Sequence, residues 1–285
     1  MRLWNKFEVI ELQSINKESQ QGFARYAAQM NGYQPDDHYK SKSDFFDRYL
    51  KEESKGRLLI YDRFLRKHLQ KSMTILSTAS GRAANELSLT QDGYQIVCSD
   101  LEHPDCLAAT QKLFGEIDYQ KLNVLDPYEG PRYDAVISLS LIYNFDDQQL
   151  ESYFENIARM MKEDAIFILD YVGSSDNVLS YLFHDVFLKM EAYFLASYQR
   201  VRHHQKSRVE KVFHGYRRTN QDIQRAAQKA GLTLVDYEED GPLIDFYRSL
   251  VLCRLMKYKW VRGTLNMIGK KMPYVRMGCF KKAPR

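Results

Sequence analysis

No apolar run in this 285-residue chain is long enough to cross a bilayer, and the first residues lack the apolar core of a secretory signal. A cytoplasmic protein is the expectation. Cysteine is scarce: the four present, Cys98, Cys106, Cys253 and Cys279, are scattered without metal-ligand spacing. Cys98 and Cys279 fall within apolar strand-like runs and read as packing residues. Acids and histidines form no cluster at the ends of strand-like segments, so no metal is expected. Internal repeats and low-complexity tracts are also missing. Acid is missing from one whole region. After Asp245 there are eleven Lys and Arg and no Asp or Glu, so the net charge of +4 conceals a body of net −7 and a cationic end. That asymmetry argues against nucleic-acid binding over the whole surface and for a local anionic partner.

The stretch from Thr74 to Asp100, TILSTASGRAANELSLTQDGYQIVCSD, carries the most information. Met73–Leu76 is a short apolar run, and Ser77–Ala83 holds only small residues apart from Arg82. Leu87 and Leu89 continue a helix, Gly93 stops it, and Ile96–Cys98 is a second strand that ends on Asp100. The order strand, small-residue turn, helix, strand, acid is half of a nucleotide-binding βαβ unit. Small residues let the backbone approach a ligand, the helix N-terminus offers unbonded N–H groups, and the terminal carboxylate can accept from two ribose hydroxyls. Glu86, on the helix, either anchors the turn or is solvated.

A dinucleotide site has G-x-G-x-x-G, whereas only Gly81 is glycine here, flanked by Ala79 and Ala83. This small-x-small-x-small pattern resembles motif I of class I S-adenosylmethionine-dependent methyltransferases, acid-x-Gly-x-Gly-x-Gly, with Ser77 at the acid's position. Further segments follow in that family's order. YQKLNVLDP from Tyr119 resembles the third strand and its adenine loop, with Asn123 at the acid's position and Asp126 as the nearby alternative. YDAVISLSL from Tyr133 resembles the fourth strand and AIFILDY from Ala165 the fifth, after a helix over Asp147–Met161. TNQDIQRAAQKAGLTLVD from Thr219 is similar to the last helix and sixth strand. YVRMGCFKK from Tyr274 is similar to the terminal antiparallel strand.

The resemblance implies a Rossmann-like α/β fold: a seven-stranded, mostly parallel sheet with an antiparallel last strand. It implies S-adenosylmethionine as cofactor, held by Ala79 and Gly81 in the turn, Asp100 with Leu101 beside it at the ribose, Asn123 and Val124 at adenine, and Ser138 and Ser140 after the fourth strand. The remaining chain is read as a helical N-terminal cap over residues 1–70, with Tyr26, Tyr33 and Tyr39 as pocket candidates. The methyltransferase domain then occupies 71–285, interrupted by helical insertions at about 174–218 and 243–271. His184 and His214, in the first insertion, are the candidate general bases. Tyr143, Asp170 and Tyr171 stand at the ends of the fourth and fifth strands, on the reaction side. The adjacent His203 and His204 read as surface residues.

The pattern as a whole is similar to bacterial methyltransferases of sugar and surface-polysaccharide pathways, which implies O-methylation of a small polar or glycan acceptor. A natural-product methyltransferase is the nearby alternative, and a non-catalytic binding scaffold the distant one. A nicotinamide reductase is disfavoured because no Tyr-x-x-x-Lys pair occupies a suitable helix. The cationic segment 243–285 is either a helix packed on the domain with solvated lysines or a peripheral contact with an anionic membrane face. No specific nucleic-acid partner is expected.

Overall fold

The computed structural model describes residues 2–11, 40–50, 55–172, 177–203, 207–240, 249–269, 271–272 and 275–283. The chain opens with strand β1 (Arg2–Glu11), followed by helices α1 (Lys42–Leu50) and α2 (Lys55–His68). The nucleotide unit follows as β2 (Thr74–Thr78), α3 (Ala84–Gln91), β3 (Gln95–Asp100), α4 (Leu107–Phe114) and the short β4 (Tyr119–Lys121). β5 (Tyr133–Ser138) leads through a 3₁₀ turn at Ile142–Asn144 to α5 (Asp147–Met160) and β6 (Met161–Val172). Next come α6 (Val178–Tyr181), a π turn at Leu182–Phe187, α7 (Leu188–His203) and β7 (Ser207–Arg217). The chain ends with α8 (Asn220–Lys229), β8 (Leu232–Asp240), α9 (Leu250–Leu255), α10 (Lys259–Gly269) and β9 (Val275–Lys282).

Seven strands form one sheet in the order β4-β3-β2-β5-β6-β9-β8. β2 to β6 are parallel, and β9 runs antiparallel to both β6 and β8. This is the seven-stranded sheet the sequence predicts. Alternation along the strands divides the core in two. Ile75, Ile96, Cys98, Ile137 and Ile168 face α2 and α3, with Phe64 and Leu65 among their partners. Leu76, Val136, Phe167 and Leu169 face α5 and α8, packing on Tyr153, Phe154 and Ile223. Strand order reverses between β3-β2 and β5-β6, so a crevice is expected beyond the carboxyl ends of β2 and β5.

Local chemistry sets the helix starts. Asp146 and Gln149 form a reciprocal capping box at α5, with Gln149 N–H donating to Asp146 at 2.8 Å and Asp146 N–H to Gln149 at 3.0 Å. Thr219 and Asp222 do the same at α8, both bonds 3.1 Å. Thr219 is therefore the predicted cap, and Gly231, at φ 73°, ends that segment as expected.

Two expectations need correction. The first 70 residues are not all helical, because β1 pairs antiparallel with β7 from Arg2↔Arg217 to Glu11↔Ser207. The last part of the first insertion, Ser207–Arg217, is likewise a strand, not a helix. A two-stranded ribbon gains little stability locally and needs a distant partner, so neither strand announces itself in its own sequence. α7 lies along the ribbon: Ser207 Oγ donates to Ala196 O at 3.0 Å and Arg200 Nε to Ser207 O at 2.8 Å. The candidate pocket tyrosines Tyr26, Tyr33 and Tyr39 lie outside the described residues, as does His204.

The ribbon meets the main sheet at one tight point. Gly215 has φ +147°, and a Cβ there would stand 2.4 Å from the carbonyl oxygen of Tyr143. Buried arginines secure the same junction: Arg217 pairs with Asp185 at 2.9 Å, and Arg218 pairs with Asp147 while donating to Phe145 O at 2.6 Å. Gly215→Ala is expected to cost about 2 kcal/mol or more, from backbone strain plus overlap with a backbone carbonyl. Urea unfolding with a lowered midpoint and an unchanged slope is the measurement.

Candidate functional site

The turn after β2 takes the left-handed conformation at every second residue: Ala79 at φ 55°, Gly81 at φ 51° and Ala83 at φ 57°. The small-x-small-x-small spacing therefore reflects backbone dihedral as well as space. Left-handed backbone costs an L-residue about 1–2 kcal/mol, and alanine has no side-chain hydrogen bond to offset it, so the surrounding contacts must. Serines compensate. Ser80 Oγ donates to Ser77 O at 3.0 Å, Ser80 N–H to Ser99 O at 2.9 Å, and Ser99 Oγ to Ser77 O at 2.9 Å. The α3 N-terminus that follows has no side-chain cap, so its first N–H groups remain available to a ligand carboxylate.

Asp100, half-buried at the end of β3, closes the turn. Its Oδ2 accepts from Gly81 N–H at 3.0 Å and its Oδ1 from Leu101 N–H at 2.8 Å. Burial raises its pKa above the ordinary carboxylate value, and the two backbone bonds pull the other way. Each oxygen retains one lone pair, the complement of two ribose hydroxyls. A Cβ built on Gly81 meets nothing within 4 Å, so there is room in front of the turn. Donor set and space both fit S-adenosylmethionine.

The acid missing at position 77 comes from the helix. Ser77 Oγ donates to Glu86 Oε1 at 2.6 Å, and Glu86 is buried. Of the two readings left open for Glu86, the anchor is the one observed. Burial is the largest influence on its carboxyl and raises the pKa; the Ser77 bond opposes this.

The loop expected to border adenine follows the next strand end, after β4. Leu122 N–H donates to Asp100 O at 2.8 Å, tying that loop to the end of β3. Asn123 Oδ1 accepts from Leu125 N–H at 3.1 Å, and buried Val124 receives Asn156 Nδ2 on its carbonyl at 3.1 Å. Tyr119 Oη donates to Gly81 O at 2.9 Å and pins the turn from the neighbouring strand. Ser80, Ser99 and Tyr119 were not among the predicted site residues. The two serines had a signal in their small size next to the motif; Tyr119 had none.

A second cluster stands where β5 and β6 end. Asp170 is buried; its Oδ1 accepts from Ser140 N–H and its Oδ2 from the Tyr61 phenol of α2. Ser140 is itself left-handed at φ 59°, and its Oγ lies 3.5 Å from Tyr61 Oη. Ser138 is buried at the last position of β5. Tyr143, just beyond, stacks on His214 of β7 with ring centroids 5.8 Å apart and planes at 19°. Asp170 and Ser140 thus come together, as do Tyr143 and His214. Tyr171 points to the other face of the sheet, its phenol donating to Asn220 at 2.7 Å. His184 is buried in the π turn, edge-on to Phe183 at 5.1 Å. A separate cavity of 600 Å³ between α3 and α4, lined by Thr74, Ile75, Leu87, Ile96 and Phe114, contains none of these residues.

The sequence matches the family model for a methyltransferase domain over residues 46–237, about two-thirds of the chain. The chain belongs to the methyltransferase domain family. The domain implies S-adenosylmethionine as cofactor. Solved structures agree on the fold of this methyltransferase. A magnesium protoporphyrin IX methyltransferase from Synechocystis PCC 6803 superposes with a TM-score of 0.51 at 12% identity, over 93% of this chain and 95% of its own. A 1,6-didemethyltoxoflavin-N1-methyltransferase from Burkholderia thailandensis gives 0.50 at 16%, over 92% and 90%. A methyltransferase from Methanosarcina mazei gives 0.51 at 12%, over 78% and 98%. No curated protein matches by sequence.

Two substitutions test the turn of this methyltransferase. Ala79→Gly is expected to raise unfolding free energy by about 0.5–1 kcal/mol, because relief of left-handed strain exceeds the added freedom of the unfolded chain. Glu86→Gln keeps an acceptor for Ser77 and removes the ionisable group. A carboxyl whose folded pKa is raised loses stability as pH climbs past its unfolded value. Glu86→Gln and the parent should therefore unfold at similar temperatures below pH 4.5, the ordinary glutamate value, and the variant should be the more stable as pH rises. Thermal melts across pH give the comparison.

Proposed function

We propose that this methyltransferase methylates a hydroxyl group of a small polar acceptor, such as a sugar or glycan intermediate. Support comes from the His214–Tyr143 pair, held beside the carboxyl ends of β5 and β6 by the close approach of Gly215. A hydroxyl must lose a proton as it attacks, and an imidazole titrates in the right range to take it. S-adenosylmethionine, when bound, supplies a sulfonium methyl that needs no further activation.

The chain then has three tasks. Asp100 and the turn Ala79–Gly81 orient the nucleoside sugar, the serine staples keep the turn closed before ligand arrives, and Asn123 and Val124 border the base. Asp170, Ser140 and Tyr61 hold the floor between cofactor and acceptor in one arrangement, so that alignment costs little at the moment of reaction. His214 receives the acceptor's proton, with Tyr143 fixing the plane of its ring. A polar acceptor suits walls that carry phenols, an imidazole and a serine.

Calorimetric titration with S-adenosylmethionine tests the cofactor half. Asp100→Ala should weaken binding by about 1.5–3 kcal/mol, roughly ten- to a hundredfold. An affinity unchanged within twofold would overturn the ribose assignment. Release of S-adenosylhomocysteine in the presence of sugar and glycan acceptors tests the other half. His214→Asn should lower kcat by about a hundredfold or more while cofactor affinity stays the same. Equal turnover in the variant would remove His214 as the base.

A further inference from the structure

We propose that the helical lobe built from α6, α7, α9 and α10 docks on the surface of an anionic phospholipid bilayer. The lobe has a small core of its own: Phe183, Met256, Val261, Leu265 and Met272. Glu191 of α7 joins its halves, accepting from Ser249 Oγ at 2.8 Å and Val251 N–H at 2.9 Å. What the lobe leaves outside is unusual. A surface helix normally buries its large apolar residues and exposes its polar ones. α7 departs from this: its buried stripe is small and its large apolar residues face outward. It buries Ala192 and Ala196 against the β1–β7 ribbon and exposes Met190 (66%), Phe194 (67%) and Val201 (79%) on the far side, in line with Phe187 and Tyr198 at helical spacing. α10 repeats the arrangement, with Val261 and Leu265 inward and Trp260 (75%) and Met267 (72%) outward.

Charge selects the occupant. Arg254, Lys257, Lys259, Arg262 and Lys271 are all exposed on or beside α9 and α10, within a stretch of chain that holds no acid. A second copy of the chain would set that cationic surface against itself in a two-fold contact, which like charges oppose. An anionic bilayer supplies the opposite sign and an apolar layer at once: bases meet phosphates while Trp260, Met267, Phe194 and Met190 enter the headgroup boundary. Among the described residues no helix is long and apolar enough to cross a membrane, so the contact is peripheral. Of the two readings of the cationic segment, helix packing and membrane contact, the two faces of α10 accommodate both.

The lobe also borders the acceptor side, because α7 packs on β7, which carries His214 and Gly215 to Tyr143. Docking would hold that side near lipid headgroups, as an acceptor carried on a lipid requires. This last consequence rests on the methyl-transfer reading; the docking does not.

Flotation of the full chain with vesicles tests it. Recovery is expected with phosphatidylcholine–phosphatidylglycerol vesicles and not with phosphatidylcholine alone, and the tryptophan emission of W4F, which keeps only Trp260, should shift to the blue only with the former. M190E/F194E and W260E/M267E alter exposed positions and should fold as the parent does by thermal melt, yet each should lower recovery about tenfold or more. Equal recovery on neutral and anionic vesicles, no recovery on either, or full recovery of both variants would overturn the proposal. So would light scattering that shows a dimer dissociated by these substitutions. None of these readouts depends on cofactor binding or turnover, so failure here is distinguishable from failure of the methyl-transfer reading.

Discussion

A single carboxylate organises the cofactor end of this molecule. Asp100 accepts one backbone N–H from its own strand end and another from Gly81 across the turn, and so links the loops that leave β2 and β3. The turn needs that link. Its alternate residues are left-handed, two of them alanines, and no regular secondary structure stabilises such a sequence of dihedrals. Ser80 and Ser99 hold it from behind, Tyr119 from the side, and Ser77 joins it to the buried Glu86. Together these bonds fix the shape of the turn and leave one lone pair on each oxygen of Asp100.

The carboxyl ends of β5 and β6 follow a different principle. There the strand ends carry little that is distinctive, and chemistry arrives from elsewhere in the chain. Tyr61 comes from α2 to Asp170, across 109 residues of sequence. His214 comes from β7 to Tyr143, and can do so because Gly215 lets two backbones touch. The β1–β7 ribbon is therefore more than a decoration on a methyltransferase sheet: it delivers the imidazole and, on its other side, carries α7 and the exposed apolar lobe. One element thus connects the His214–Tyr143 pair to the exposed apolar lobe.

How much could be read in advance depended on how local the cause was. The seven-stranded sheet was legible because apolar strands covered on both faces announce themselves, and because Gly93 and Gly231 stop helices for reasons contained within one turn. Asp100 was legible because its position at a strand end follows from the βαβ order. Glu86 was visible but undecided, since only burial tells an anchor from a solvated side chain. β1 and β7 were misread as helical or irregular, because each gains its stability from a partner some two hundred residues away. Tyr119 and Tyr61 carried no signal, being aromatic residues among many.

The amino-acid sequence alone determined the fold class, the small-residue turn, the carboxylate at the end of β3 and the charge asymmetry, because each arises from neighbours within one strand-turn-helix unit or from composition. Tertiary structure alone decided that Glu86 replaces the missing acid, that His214 reaches Tyr143, and that α7 turns its large apolar residues outward. Those facts depend on which distant surfaces come within contact distance, and that is settled when the whole chain buries its core.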